Sequence, residues 1–269
     1  MPVERTILTT AVSLPGPVAA GAPFWLLTLR DLTEAHKLEQ MRADFVANAS
    51  HELRTPLASL LGFIETLRGS ARDDAGARER FLAIMAIEGG RMKRLIDDLL
   101  SLSRIEMRQH MRPTTPVDLV EVLSHVVSSA TPAAAQAKVA ISLELPAGRL
   151  ETLGDHDELV QLFGNLLQNA VKYGRSGGIA RIVGSRMGQR TIEVAVIDDG
   201  PGIAPQHLPR LTERFYRVDT AASRIAGGTG LGLAIVKHLV QRHRGELMIK
   251  SEFGKGATFA VVLEAYESP

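Results

Sequence analysis

The chain has 269 residues, with 31 Lys and Arg against 30 Asp and Glu, no Cys and 45% hydrophobic residues. At about 150 residues per domain, this length allows roughly two domains with a sizeable core. The charged fraction of 23% excludes disordered and fibrous classes. A net charge of +1 argues against bulk electrostatic binding of nucleic acid, and the lack of Cys excludes disulfide frameworks, thiolate zinc sites and cysteine nucleophiles.

The N-terminal region predicts two short strands, at residues 7–13 and 24–29, around a turn at 15–17. Because a lone hairpin is marginal in water, the strands are expected to come from a larger sheet. The sequence has no run of about 18 apolar residues and no signal peptide, so nothing in it is predicted to span a membrane. Because residues 1–4 lead straight into strand-like sequence, we interpret the chain as a fragment of a longer protein.

Two long amphipathic helices are predicted next. Over residues 36–68 apolar side chains recur every three or four positions. A second helix, capped by Asp73 or Asp74, ends near Arg108. Since two helices of this length cannot bury both apolar stripes fully against each other, a homodimeric four-helix bundle is the expected arrangement.

Beyond a linker predicted at residues 109–116, the hydrophobic period changes. The predicted elements are a strand at 139–145, a helix at 155–173, strands at 179–187 and 191–197, a helix at 231–243, and strands at 246–251 and 257–263. This order predicts an α/β sandwich in which a mixed sheet carries helices on one side.

His51 is the sharpest local signal in the sequence. At helical spacing, His51, Glu52 and Thr55 lie on a polar face opposite the apolar stripe, so His51 is expected to face solvent. A neutral imidazole is a nucleophile, and the adjacent Glu52 can accept a proton from its far nitrogen. Pro56 removes one helical hydrogen bond and is expected to bend the helix, which would let a second protein or domain reach His51. A surface histidine beside an incidental glutamate is an equally good interpretation of this motif alone.

Asn165, Asn169 and Lys172 share one face of the helix at 155–173. Amide oxygens suit a hard cation such as Mg²⁺, and a lysine suits a phosphate oxygen. The alternative is a solvated face. Such a face usually prefers Glu and Lys to two Asn, which are poor helix formers, so the binding face is favoured.

Two glycine-rich motifs follow. At residues 198–202 a carboxylate directly after a strand can accept from the exocyclic amine of adenine, although an ordinary Asp-Gly turn explains this motif alone. Residues 227–233 open a helix whose free N–H groups form an anion site. They match neither a Rossmann nor a Walker motif, and protein-kinase signatures are missing. The polar stretch at 218–226 is predicted to be a mobile lid.

In this order the motifs resemble the cytoplasmic kinase core of bacterial two-component sensor histidine kinases, and the resemblance covers about residues 36–264. Within the family the chain is similar to the phosphate-regulon sensor kinases. The matching segments are 51–56 for the phosphoacceptor box, 165–173 for the asparagine box, 213–217 for the phenylalanine box, and 198–202, 228–232 and 254–258 for the glycine boxes.

The resemblance implies two phosphoryl transfers. His51 would take the γ-phosphoryl group of ATP with Mg²⁺ and pass it to an Asp of a response-regulator receiver domain. By the same resemblance Glu52 is the acid/base partner and Thr55 aids regulator dephosphorylation. Arg214 and Arg217 would stabilise charge on the transferring group.

The resemblance also implies a nucleotide-binding set, with Asn165 as the Mg²⁺ ligand and Asp198 as the reader of adenine. The other residues of this set are Asn169, Lys172, Tyr173, Gly200, Gly202, Gly228, Thr229, Gly230, Leu231, Gly232 and Thr258.

The implied organisation is α+β: a long antiparallel helical hairpin forming a dimeric four-helix bundle, followed by an α/β sandwich that binds ATP. Residues 1–33 resemble the last strands of a PAS sensor domain, 34–110 form the dimerisation and phosphoacceptor domain, and 111–269 form the catalytic domain. The family relationship implies the cytoplasmic portion of an inner-membrane protein, anchored by segments absent from this chain, with no nucleic-acid partner. Two alternatives remain: an ATPase sharing the nucleotide-binding fold, and an ATP-binding scaffold without turnover.

Overall fold

The computed structural model describes residues 5–14, 24–108, 110–218 and 228–266. The predicted turn at 15–17 and residues 219–226 of the predicted lid lie outside the described residues. The chain divides into two compact units, Met1–Arg68 and Gly69–Pro269.

The first unit contains a hairpin and a long helix. Strands β1 (Ile7–Leu14) and β2 (Phe24–Asp31) pair antiparallel along their full length, as the alternating sequence predicts. Both faces of the hairpin carry exposed apolar side chains, among them Leu26 (53% exposed) and Leu27 (59%). Its origin in a larger sheet stays a prediction. Helix α1 (Thr33–Arg68) continues through Pro56.

The second unit begins with helix α2 (Ala75–Arg108). The carboxylate of Asp74 accepts the backbone N–H of Ala77 at 2.8 Å, so Asp74 is the cap of the two predicted candidates. Near its end α2 buries Leu95, Leu102 and Ile105. The homodimeric bundle stays a prediction.

The rest of the unit is an α/β layer structure. Its elements are β3 (Thr115–Asp118), α3 (Leu119–Ala137), β4 (Ala140–Glu144), β5 (Glu151–Gly154), α4 (His156–Tyr173), β6 (Ile179–Met187), β7 (Thr191–Asp198), a 3₁₀ helix (Pro205–Arg210), α5 (Gly232–Arg242), β8 (Glu246–Ser251) and β9 (Ala257–Glu264).

The main sheet has the order β4-β6-β7-β9-β8. Strands β4 and β6 pair in parallel and the other neighbours pair antiparallel, which confirms the predicted mixed sheet. Helices α3, α4 and α5 pack on this sheet, and Leu162, Leu166, Ile182, Val194 and Ile235 between the layers are fully buried. Each such side chain contributes about 1.5–3 kcal/mol of hydrophobic stabilisation, so this layer holds the unit together.

Two sequence predictions are wrong in the region before β4. The predicted linker ends too late, since residues 115–116 belong to β3, which pairs with β5 in a separate two-stranded sheet. Helix α3 was not predicted at all. Its carboxylate cap Asp118 accepts the N–H of Val120 at 2.8 Å. The exposed face of α3 is formed largely by Ser, Thr and Ala, and the helix contains Pro132, so its polar face is weaker than that of α4.

Among the described residues no helix combines enough length with enough apolar character to cross a membrane.

Candidate functional site

His51 lies on α1 in the first unit, and its side chain is exposed, as the polar face predicts. The neighbouring Glu52 is half-buried, and the hydroxyl of Thr55 donates to the backbone carbonyl of His51 at 3.2 Å. This bond fixes the Thr55 side chain on the same turn as His51. An exposed imidazole beside a carboxylate can be reached by another molecule and can lose its proton locally.

Asn165 and Lys172 lie half-buried on one face of α4 in the second unit, together with Asn169. The side-chain nitrogen of Asn165 is buried and makes no hydrogen bond within the described residues. A Cβ atom placed on Gly232 would lie 3.7 Å from the amide oxygen of Asn165, so the start of α5 faces this side chain. The ammonium of Lys172 lies 4.8 Å from the centre of the Tyr173 ring.

Asp198 ends β7 and is 9% exposed. Its Oδ1 accepts the backbone N–H groups of Gly200 at 2.9 Å and Ala257 at 3.2 Å, which leaves Oδ2 to accept from a ligand. Burial raises the pKa of this carboxyl, and the two N–H donors lower it. The next residue, Asp199, has a different role: its two oxygens accept the N–H groups of Arg175 and Ile179 and so fix the loop after α4.

The glycine motifs at 198–202 and 254–258 meet around Asp198. A Cβ on Gly200 would lie 2.4 Å from the carbonyl oxygen of Tyr173, and a Cβ on Gly256 would lie 2.0 Å from that of Asp198. Gly256 also has a φ of +90°, so only glycine fits this approach without strain. A cavity of about 320 Å³ opens here, lined by Asp198, Gly256 and Thr258 among others. Gly202, which also has a positive φ, lies against the turn between β8 and β9.

The predicted anion site lies at the start of α5. Leu231 precedes the helix, is fully buried and donates its N–H to the hydroxyl of Thr229 at 3.3 Å. Gly230, with a φ of +75°, packs against the backbone of Phe215 and accepts its N–H at 2.8 Å. Gly228 lies at the edge of the described residues. The free N–H groups and the positive end of α5 make this a site for an anion next to Asn165.

The arginines of the phenylalanine box lie in the same unit. The Arg214 guanidinium donates to the carboxylate of Glu106 on α2 at 2.5 Å. The hydroxyl of Thr229 donates to Asp98, also on α2, at 2.7 Å. Arg217 is half-buried. Sequence reasoning missed Asp98 and Glu106, because nothing in the sequence shows which residues they contact more than 100 positions later in the same unit.

Buried polar contacts join α2, α4 and α5. Arg242, 7% exposed, donates to the carboxylate of Glu158 at 2.8 Å and to the carbonyl of Arg108 at 2.5 Å. His243, 1% exposed, donates from Nδ1 to the carbonyl of Leu239 and accepts the N–H of Asp155 at Nε2. Burial raises the pKa of Glu158 and lowers the pKa of His243. These contacts fix the helices that carry the site.

The residues present fit a nucleotide with a hard cation. The side-chain nitrogen of Asn165 is unpartnered, and its amide oxygen lies beside the helix N-terminus that attracts phosphates; amide oxygens are ligands that Mg²⁺ accepts. Within the described residues, the structure contains no cluster of three His, Asp or Glu side chains arranged to hold a metal alone. In phosphoryl-transfer sites Mg²⁺ takes ligands from the phosphates as well as from one or two protein groups.

Two family models match the chain. Residues 41–108 match the His Kinase A (phospho-acceptor) domain, and residues 154–267 match the histidine kinase-, DNA gyrase B- and HSP90-like ATPase family. The first region contains His51 and the second contains Asn165, Asp198 and the start of α5.

Curated relatives and solved structures agree with these matches. The phosphate regulon sensor protein PhoR of Pseudomonas aeruginosa is 45% identical over 235 residues, which cover 87% of this chain and 52% of PhoR. The sensor-like histidine kinase SenX3 of Mycolicibacterium smegmatis is 39% identical, over 91% of this chain and 63% of SenX3. Full-length ShkA in complex with AMPPNP has a TM-score of 0.61 at 28% identity, over 86% of this chain and 47% of that one.

This chain thus spans between half and two thirds of the length of these two curated relatives. The phospho-acceptor family model and SenX3 are of histidine kinases, and the ATPase family model includes them. The chain therefore belongs to the sensor histidine kinases of two-component signalling, a family of ATP-dependent protein-histidine kinases, and carries their phosphoacceptor and ATP-binding regions.

Proposed function

We propose that this chain phosphorylates itself on His51 from ATP and Mg²⁺ and then transfers the phosphoryl group to an Asp of a response regulator. The observation that carries the proposal is an exposed His51 beside Glu52 on α1, in a chain whose other unit places Asn165 beside the N-terminus of α5 and a buried Asp198 at a cavity lined by Thr258. An acceptor and a nucleotide site are the two parts that such a reaction requires.

In the proposed first step a ring nitrogen of His51 forms a bond to the γ-phosphorus, and the bond from that phosphorus to the bridging oxygen of ADP breaks. Glu52 takes the proton from the other ring nitrogen and so keeps the imidazole nucleophilic. Arg214 and Arg217 balance the charge on the transferring group, and positioning supplies much of the rate.

The nucleotide is held by the second unit. Asp198 accepts from the adenine amine through its free oxygen, and Thr258 lines the same cavity. Asn169 and Lys172 contact phosphates, which also lie against residues 228–232 at the start of α5. Mg²⁺, when bound, neutralises phosphate charge, and Asn165 is its protein ligand.

We further propose that residues 34–110 form the dimerisation and phosphoacceptor domain, residues 111–269 the catalytic domain, and residues 1–33 the last strands of a PAS-like domain. The match of residues 41–108 to a phospho-acceptor family supports the first assignment, and the match of residues 154–267 to an ATPase family supports the second. The working form is a homodimer whose α1 and α2 helices make a four-helix bundle.

Thr55 is proposed to serve a second activity, the dephosphorylation of the regulator. Its hydroxyl lies one turn after His51 on α1, where it shares the docking position of the receiver domain. The test is loss of regulator dephosphorylation in Thr55→Ala with His51 labelling retained.

The main experiment is incubation with γ-labelled ATP and Mg²⁺. Label that is acid-labile and base-stable, present in the unaltered chain and in His36→Ala but missing in His51→Ala, is the expected result. His36 lies on the same helix with an exposed side chain, so it is a matched control. Release of ADP without protein label would favour the ATPase alternative, and ATP binding without turnover would favour the scaffold.

A further inference from the structure

Two carboxylates of α2 bind residues that the proposed reaction needs at the phosphates. Asp98 accepts the hydroxyl of Thr229 at 2.7 Å, and Glu106 accepts the guanidinium of Arg214 at 2.5 Å. Both contacts are partly buried, and they join residues 131 and 108 positions apart in the sequence. We call Asp98 and Glu106 the α2 carboxylate pair.

The pair lies on the part of α2 that packs against α5, about 12 Å apart along the helix. Between them Ser101 exchanges hydrogen bonds with Gln161 of α4 at 2.7 and 2.9 Å. The pair thus belongs to a continuous contact surface of α2, and neither of its two contacts is an isolated interaction on the protein surface.

A carboxylate and a phosphate present the same chemistry to a hydroxyl or a guanidinium, namely anionic oxygen acceptors. Thr229 has a single hydroxyl proton, so a proton donated to Asp98 cannot at the same time be donated to a phosphate. Glu106 likewise holds the guanidinium nitrogen of Arg214. His238 lies 3.7 Å from Glu106, but burial lowers the pKa of this histidine and favours its neutral form, so Arg214 is the charged partner of Glu106.

We propose that the α2 carboxylate pair competes with the ATP phosphates for Thr229 and Arg214. Helix α2 would then hold the catalytic domain, residues 111–269, in a resting arrangement of low nucleotide affinity. This inference rests on the proposed function of Thr229 and Arg214. By linkage, nucleotide binding and release of α2 promote each other, and the apparent Kd for ATP equals the Kd of the released arrangement divided by the fraction of molecules that are in it.

The first test compares Glu106→Gln and Asp98→Ala with the controls Glu79→Gln and Asp97→Ala, whose altered side chains are exposed on the same helix. Titration calorimetry with ATP and Mg²⁺ is expected to show about threefold to tenfold tighter binding in the first two variants and no change in the controls. The initial rate of label incorporation into His51 is expected to rise in the two test variants and to stay unchanged in the two controls. Equal or weaker ATP binding in both test variants would overturn the proposal.

A second test uses the unaltered chain and so does not depend on how a variant folds. Hydrogen exchange of the α2 backbone over residues 98–108 is measured with and without AMPPNP and Mg²⁺. Faster exchange with nucleotide is expected, because binding releases α2; equal or slower exchange would contradict the competition. A chain that binds no ATP at all would refute the proposed function as well, whereas normal ATP binding with unaltered exchange would refute the competition alone.

Discussion

The Asp198→Asn variant tests the role of Asp198 in adenine binding separately from its role in the stability of the fold. Oδ1 of Asp198 accepts N–H groups at 2.9 and 3.2 Å, and an Asn oxygen in the same place keeps both bonds without their charge assistance. That loss is about 1 kcal/mol per bond. Burial disfavours the charged carboxylate of Asp198 and so raises its pKa. A neutral amide avoids this cost and therefore recovers part of the lost stability. We expect the free energy of unfolding to fall by less than about 2 kcal/mol.

The effect on ATP binding is expected to be larger. The second oxygen of Asp198 becomes an NH₂ group, which faces the donor of adenine with another donor. Loss of a hydrogen bond to a charged group is worth about 1.5–3 kcal/mol, or roughly a 10-fold to 150-fold rise in the Kd for ATP. Calorimetry at fixed Mg²⁺ measures the Kd, and urea unfolding measures the stability.

The neighbouring Asp199 provides the matched control. Each of its oxygens accepts one backbone N–H, from Arg175 and from Ile179, so Asn in its place leaves one of them facing a donor. Asp199→Asn is therefore expected to lose about 1–3 kcal/mol of stability, with a smaller loss of ATP affinity than Asp198→Asn. A folded Asp198→Asn variant that binds ATP as tightly as the unaltered chain would refute the assignment of Asp198 to adenine.

Three further predictions concern buried groups. Arg242→Met leaves Glu158 buried without its cation, and urea unfolding should show a loss of about 3–5 kcal/mol; a loss near zero would mean that the pair does not hold α4 to α5. Because burial lowers the pKa of His243, the native state binds fewer protons than the unfolded state, so stability is expected to fall as pH drops below the ordinary value of about 6.5. Unfolding curves of His243→Gln should lack this part of the pH dependence, and an unchanged profile would contradict it. Asn165→Ala removes an amide whose nitrogen is unpartnered, so it should cost little stability. It should, however, abolish the increase in ATP affinity that Mg²⁺ gives relative to EDTA. If that increase persists, the cation is bound by other residues.

The elements that carry strong local signals were predictable from the sequence. Asp155 caps α4 by accepting the N–H groups of Asp157 and Glu158, and the helix has one apolar and one polar face, so its limits were predicted within one residue. Strand β6 follows the alternation of its side chains, and β6 and β8 both match the predicted ranges. Helix α3 was missed because Ser, Thr and Ala, which indicate a helix only weakly, form most of its exposed face and because it contains Pro132.

The candidate site was predictable as a set of motifs and not as an arrangement. The sequence indicates which residues carry the chemistry, but it does not show that Gly200 lies against Tyr173 or that Asn165 lies beside Gly232. The α2 carboxylate pair illustrates the limit most clearly. Asp98 and Glu106 read as ordinary acidic residues of an amphipathic helix, and only long-range packing brings them to Thr229 and Arg214.

The central claim is that His51 is the acceptor of the γ-phosphoryl group. The most direct measurement digests the chain at neutral to alkaline pH after incubation with ATP and Mg²⁺ and maps the phosphate by mass spectrometry among its eight histidines. The account predicts phosphate on His51 alone, at a level that falls to background in the His51→Ala variant. Phosphate on another histidine, or an unmodified chain that still turns over ATP, would contradict it.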